Sequence, residues 1–220
     1  MNKKTTSPGI PRAIEVMVAS GGLLVLLPFF VCVAILIKTT SHGPILFRQR
    51  RVGRNGKEFT LYKLRTMSIK QSGPLVTAAT DSRITSLGKL LRKSKIDELP
   101  ELWNIIIGDM SFVGPRPEVS KLVNYDNPMW QEVLQVRPGI TDPVTLKFRN
   151  EEVLLAKVFD KEAYYMEVVQ PYKLKGYVNF LRKKTWKTEV KIIAQTFKAV
   201  VLPRTAPPPT HEELKWSFIE

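Results

Sequence analysis

Asp97 and Glu98 are adjacent acids in an otherwise basic stretch, directly after Lys93 and Lys95. If both are helical, their side chains diverge by about 100°, so they can serve different tasks. Asp97 can bind Mg²⁺ or attack a phosphorus atom, and Glu98 can move a proton. The plainer alternative is that Asp97 caps a helix and Glu98 is solvated. Around the pair lie cations in constrained chain. Lys63 and Arg65 end a strand-like run, Arg92 precedes Asp97 by five residues, Arg116 sits between Pro115 and Pro117, and Arg149 follows Lys147-Phe148. Arginine forks suit phosphate oxygens, and lysine serves as a point charge. Taken singly, each of these cations also reads as a solvated surface charge.

Composition supports an anionic ligand. The 220 residues carry 34 Lys+Arg against 20 Asp+Glu, a formal net charge of +14, with 44% hydrophobic residues. That apolar share excludes a disordered chain. The excess charge sits in residues 1–100, which hold 17 basic and 5 acidic side chains. Such a field fits nucleic acid, an anionic membrane surface or a phosphorylated small molecule. No nucleic-acid-binding motif accompanies it, so nucleic acid is not an expected partner. A membrane-tethered binder of anions is the competing class, and its affinity would fall steeply with salt and ignore Asp97. A lone Cys32 excludes a disulfide framework, and His42 and His211 lack metal-ligand spacing. A P-loop, a nucleophile elbow and a kinase signature are all absent.

The elements that must position these groups read as α+β, mainly helical. Strands are expected over 45–51 and 58–64 around Asn55-Gly56, a hairpin signal. Residues 68–80, with Gly73-Pro74, read as loop. A helix is expected from Asp81 or Ser82, with Ile84, Leu87, Leu90 and Leu91 as its apolar stripe. A second is expected from Asp97, with Pro100 in its first turn and Gly108 at its end. Leu99, Leu102, Trp103, Ile106 and Ile107 would form its buried face. Residues 114–117 read as a stiff turn, and those around 137–143 as irregular chain. Residues 151–201 read as amphipathic helices. The last, near 190–201, carries Ile192, Ile193, Phe197, Val200 and Val201 against Lys187, Lys191 and Lys198, which suits a membrane interface or an ordinary core-packing helix.

Residues 13–37 are apolar apart from Glu15 and Cys32. As a helix they reach roughly 37 Å, longer than the ~30 Å hydrocarbon core. Pro28 lies mid-run, and basic residues flank both ends. The positive-inside rule then places both ends in the cytoplasm, which a kinked hairpin entering and leaving by one face satisfies. A single ordinary span is the alternative. Expected boundaries are a membrane hairpin over 1–42, a catalytic domain over 43–202 and a Pro-rich tail over 203–220.

Five stretches together resemble a known family: FTLYKLRTM at 59–67, RITSLGKLLR at 83–92, IDELPELWN at 96–104, GDMSFVGPRPE at 108–118 and RPGIT at 137–141. The chain resembles the bacterial sugar transferases, the monotopic phosphoglycosyl transferases. The resemblance implies transfer of a phosphosugar from a UDP-sugar to polyprenol phosphate, giving a polyprenol-diphosphate-sugar and UMP, as the first membrane step of glycoconjugate assembly. It implies that Asp97 is a nucleophile that forms a covalent phosphosugar intermediate and contacts Mg²⁺. Glu98 would assist deprotonation or position the lipid phosphate. Lys63, Arg92 and Arg116 would bind phosphate, and the arginine that follows the RPGIT motif falls on Arg149; Arg65 is expected to bind substrate from its place at the strand end and not from the resemblance. The family's N-terminal segment implies a re-entrant helix–break–helix, here broken at Pro28, in lipid at the cytoplasmic face of the bacterial inner membrane. Two departures stand out. Asp142-Pro143-Val144-Thr145 replaces the usual glycine and Ala-Gln pair, and Leu27 precedes Pro28 where a small polar residue is usual.

Overall fold

The structure, a computed structural model, describes residues 9–69, 76–202, 209–210 and 213–214. Gly73-Pro74, Lys3, Lys4 and residues 203–208 lie outside these. The α+β, mainly helical class holds. Helix α1 (Arg12–Thr40) leads into the antiparallel strands β1 (Leu46–Val52) and β2 (Glu58–Leu64), paired Leu46 to Leu64. Asn55 and Gly56 both turn through positive φ, as the hairpin signal requires. There follow α2 (Ser86–Ser94), a 3₁₀ turn (Ile96–Glu98) and α3 (Glu101–Ile107). Next come β3 (Ser111–Val113), α4 (Pro128–Val133), β4 (Gly139–Thr141), α5 (Pro143–Lys147) and α6 (Glu151–Leu155). The chain ends in α7 (Lys161–Tyr164), a π-helical turn (Tyr165–Val169), α8 (Gln170–Lys183) and α9 (Trp186–Val201).

The N-terminal segment corrects one expectation. It is one helix with Pro28 inside it, not two helices about a break. Proline removes only its own N–H, so the ladder resumes on either side. The helix packs one stripe on the domain. Glu15, Ala19, Val33 and Ile37 are buried, with Leu23, Leu26 and Phe30 half-covered between them. The N-terminal half of this stripe lies on Leu102 and Ile105 of α3, and the C-terminal half on Leu64 and Leu91. Other faces expose Leu24, Val25, Leu27 and Ile35.

Both ends of α1 are bonded to the same body. At the start, Arg12 donates to the carbonyls of Ile105 and Met110, and Glu15 accepts from the Phe112 amide. At the end, Arg65 donates to the Ser41 carbonyl and hydroxyl, each at 2.7 Å. The hydroxyls of Thr39, Thr40 and Ser41 fold back onto Ile35, Leu36 and Ile37 and satisfy carbonyls of the last turn.

The main core lies under α8, where Trp130, Phe148, Leu155, Leu174, Tyr177 and Leu181 meet. Leu214, within the stretch read as a tail, is fully buried there. Helix α2 starts later than expected, at Ser86, because Thr85 caps it by accepting from the Gly88 amide. Leu90 lies off its buried stripe, being 63% exposed. In α3 the buried face is Glu101, Leu102, Asn104 and Ile105, while Trp103 and Ile107 point outward. Both corrections have one cause: these are short helices, and the packing of α1 and β2 decides which face is covered.

Residues 139–141, read as irregular, form β4, parallel to β3. The contact depends on two glycines. A Cβ on Gly139 would sit 2.1 Å from the Gly114 nitrogen, and one on Gly114 would sit 2.7 Å from the Arg137 carbonyl. Gly114 donates to the Thr141 carbonyl and Gly139 to that of Pro115, so the crossing anchors the Pro115-Arg116-Pro117 segment. Helix α9 starts at Trp186 on a capping box from Thr185. It buries Ile192 and Ala199 and exposes Trp186, Val190, Phe197 and Val201.

Candidate active site

Asp97 and Glu98 lie on the 3₁₀ turn between α2 and α3. Lys95 creates that turn by adopting a left-handed conformation (φ 59°), its amide reaching back to Leu91 and Arg92. Pro100, at the N-cap, then starts α3. No side chain caps α3, so the helix-capping reading of Asp97 does not apply.

The two acids occupy opposite environments. Asp97 is 6% exposed, and its Oδ1 is shielded from solvent without a hydrogen-bond partner. Burial, reinforced by the neighbouring Glu98 charge, pushes its carboxyl up to about 6. Glu98 accepts from the Lys63 ammonium at 2.8 Å and from both terminal nitrogens of Arg116, one at 3.2 Å. Burial works against its charge, but Arg116, Lys63 and Lys95 outweigh burial and hold it well below the usual carboxylate range. For Arg116 burial opposes the charge, and the charges of Glu98 and Glu101 with the Glu98 hydrogen bond together outweigh it.

One open cavity of about 1780 Å³ gathers every predicted site residue: Lys63, Arg65, Arg92, Asp97, Glu98, Arg116 and Arg149. They do not act alike within it. Lys63, Glu98 and Arg116 form one bonded cluster. Arg92 lies across from them on Glu152 of α6, at 2.9 Å. Arg65 is 4% exposed and directed to the C-terminus of α1. Only its Nη2 makes those bonds, and its Nε and Nη1 are buried without a partner. Arg149 goes further. Both of its terminal nitrogens are out of solvent and unpartnered, and burial alone lowers its pKa. A cation in that condition is ready to donate to a ligand's oxygens. The Asp142 departure forms a capped helix start: its carboxylate accepts from the amides of Val144 and Thr145 and from the Thr145 hydroxyl. Leu23, Leu27, Phe30 and Ala34 of α1 add an apolar wall to the same cavity.

Residues 7–203 match the family model for bacterial sugar transferases. The chain belongs to the bacterial sugar transferase family. It is 32% identical over 173 residues to the UDP-glucose:undecaprenyl-phosphate glucose-1-phosphate transferase of Escherichia coli K12, covering 74% of this chain and 36% of that protein. The transferase of the same name from Caulobacter vibrioides is 42% identical over 135 residues, covering 59% and 51%. The exopolysaccharide production protein ExoY of Rhizobium meliloti is 34% identical over 169 residues, covering 69% and 75%. The chain thus spans about a third of the length of the first relative and half of the second.

Sequence reasoning gave no site role to four residues that shape the site: Lys95, Glu101, Asn104 and Glu152. Asn104 is fully buried. Its amide donates to the Thr60 carbonyl at 2.7 Å and its Oδ1 accepts from the Tyr62 amide at 3.2 Å. It thereby pairs the free edge of β2 and fixes the strand on which Lys63 stands. Glu101 is 1% exposed, 3.3 Å from Lys63, and burial pushes it up to about 7. A carboxylate three residues after Glu98 was the available signal, since i and i+3 share a helix face.

Among the described residues no cluster of three or more His, Cys, Asp or Glu could cage a metal. Magnesium rarely needs one: it is commonly held by one or two carboxylates plus substrate phosphates. The unpartnered buried Oδ1 of Asp97 fits that donor set.

Proposed function

We propose that this chain transfers a phosphosugar from a UDP-sugar to polyprenol phosphate, through a covalent intermediate on Asp97. The observation that carries the reading is Asp97 itself: a buried carboxylate with a bare oxygen, beside a bonded Glu98–Arg116–Lys63 cluster, in a cavity that also holds the unpartnered Arg149. The Escherichia coli and Caulobacter vibrioides relatives act on UDP-glucose and undecaprenyl phosphate by their names, and the donor and acceptor proposed here follow that pattern.

The Asp97 carboxylate attacks the donor's β-phosphorus. The bond from that phosphorus to the bridging oxygen breaks, and UMP leaves with the electron pair. An oxygen of polyprenol phosphate then attacks the same phosphorus and releases Asp97, giving polyprenol-diphosphate-sugar. Covalent catalysis lets a soluble donor and a lipid acceptor use one site in turn. Glu98, kept ionised by its cations, holds Arg116 and Lys63 toward the phosphoryl oxygens. Arg149 binds the diphosphate. Mg²⁺ held by Asp97 and the donor's phosphates would supply charge neutralisation of the diphosphate.

The acceptor's tail requires lipid beside the site. The apolar wall from α1, with exposed Leu24, Val25 and Ile35 on its other faces, supports membrane association. Because Arg12 and Arg65 bind its two ends to one polar body, the helix is read as lying in one leaflet, at the cytoplasmic face of the inner membrane. The Lys63, Arg92 and Arg116 charges are paired within a cavity, which disfavours a displayed surface for nucleic acid. The glycan pathway served is the assembly of a lipid-linked glycoconjugate.

The test is intact-mass measurement of protein incubated with Mg²⁺ and a UDP-sugar, without acceptor. Wild type is expected to gain the mass of one phosphosugar and release UMP. Asp97→Asn is expected to gain none and to lose turnover by about 10⁴-fold or more. Undiminished turnover in Asp97→Asn would end the nucleophile assignment.

A further inference from the structure

Glu101 is a buried carboxylate without a part in the transfer described above. Neither of its oxygens receives a hydrogen bond, and the ammonium beside it, Lys63, is shared with Glu98. The charged groups facing it are Lys63 from β2, Glu98 from the 3₁₀ turn and Arg116 from the segment after β3. Arg51 of β1 contributes from farther off and is tied to Glu118. Helix α1, also packed on α3, brings Arg12 and Glu15 to the opposite end of that helix, at Ile105 and Phe112.

Lys63, Glu98 and Arg116 line the cavity, and Glu101 lies behind them. With both acids ionised, two cations and two carboxylates cancel. With a proton on Glu101, the cluster presents one net positive charge to the cavity. An anionic phosphoryl group pressed against Lys63 and Arg116 favours the second state, because it competes with Glu101 for the same ammonium. Burial already places Glu101 near that transition, against the opposing pull of Lys63.

We propose that Glu101 is a positioning residue that takes up a proton from solvent when a nucleotide phosphoryl group enters the site, releasing Lys63 to face that phosphoryl. This rests on the transferase reading and deepens it. Glu101 touches no ligand and acts through Lys63. Linkage makes the effect reciprocal: the proton tightens nucleotide binding, and the nucleotide tightens the proton.

The test uses the full chain in detergent, with Mg²⁺ and UMP as the probe. Calorimetry in two buffers of different ionisation enthalpy, over about pH 7.5 to 8.5, keeps the UMP phosphate ionised. Asp97 is also ionised there. Wild type is expected to take up protons on binding, and its UMP affinity to fall by up to about tenfold per pH unit. Glu101→Gln, which imitates the neutral acid, is expected to take up none and to lose the pH slope while keeping the low-pH affinity. A merely structural Glu101 would shift Tm and leave that slope intact. Wild-type binding without proton uptake overturns the inference with no variant needed, as does a wild-type slope in Glu101→Gln. Absence of UMP binding at every pH would instead remove the transferase reading, and this inference with it.

Discussion

Two buried polar clusters in this molecule are built to different standards. Under α8, Glu118 accepts from the Tyr165 hydroxyl and pairs with Arg51, and Lys173 pairs with Glu151 beneath the rings of Phe148 and Tyr165. No buried side-chain atom of Arg51, Glu118, Tyr165, Lys173 or Glu151 is left without a partner. At the α2–α3 turn, Asp97 keeps a bare oxygen and Glu101 keeps two. Burying a polar group without a partner costs free energy, so the first cluster stabilises the fold and the second costs it stability. The difference is one of pairing and not of place: the paired residues of the first cluster line the same cavity as Asp97, while Glu101 lies behind Lys63, Glu98 and Arg116.

The comparison is sharpened most by Lys173→Met. It strands Glu151 and removes the ammonium from two rings, so a loss of about 3 kcal/mol is expected, read as a lowered denaturation midpoint at unchanged m-value. UMP affinity of the folded protein should stay near wild type. A large loss of affinity with little loss of stability would break the distinction between the clusters.

Glu101→Gln should move stability the other way, and only at higher pH. The folded carboxyl is raised to about 7 from its ordinary 4.5, so the folded state binds the proton more tightly than the unfolded chain. Stability therefore falls as pH rises from about 4.5 through 7, by an amount on the order of 3 kcal/mol. Glutamine carries no such charge. The variant is expected to match wild type at acid pH and exceed it above neutrality, in parallel urea titrations. A variant less stable than wild type at high pH would show that the ionised carboxylate is a net support.

Arg50→Ala sets the baseline. Its pair with Glu58 is exposed on the hairpin, 3.3 Å apart. Thermal unfolding should change by less than about 0.5 kcal/mol. An effect as large as that of Lys173→Met would mean that burial does not separate these interactions.

Much of the site was legible before folding was considered. An acid pair in a basic stretch and Asn-Gly between two strands are local signals; the hairpin turn is present, while the acids fall on a 3₁₀ turn ahead of α3 and not in its first turn. The helix over 13–37 followed from composition alone, but its continuity through Pro28 did not, because a proline's effect depends on what packs around it. Arg65 illustrates the other limit. It stands two residues from Lys63, yet it binds a helix end 24 residues away, and nothing in its neighbourhood along the chain announces that.

The sequence by itself determined the kind of chemistry: which residues can be ionised, which segments are apolar and where the backbone must turn. These follow from side-chain type and short-range sterics. Tertiary structure alone decided which acid is bare and which is bonded, which cations are committed, and which face of α3 is covered. Those outcomes depend on burial and on charges brought together from β2, the 3₁₀ turn, the segment after β3, and α6. Desolvation and Coulomb energy are functions of distance in space, and spacing along the chain does not fix them.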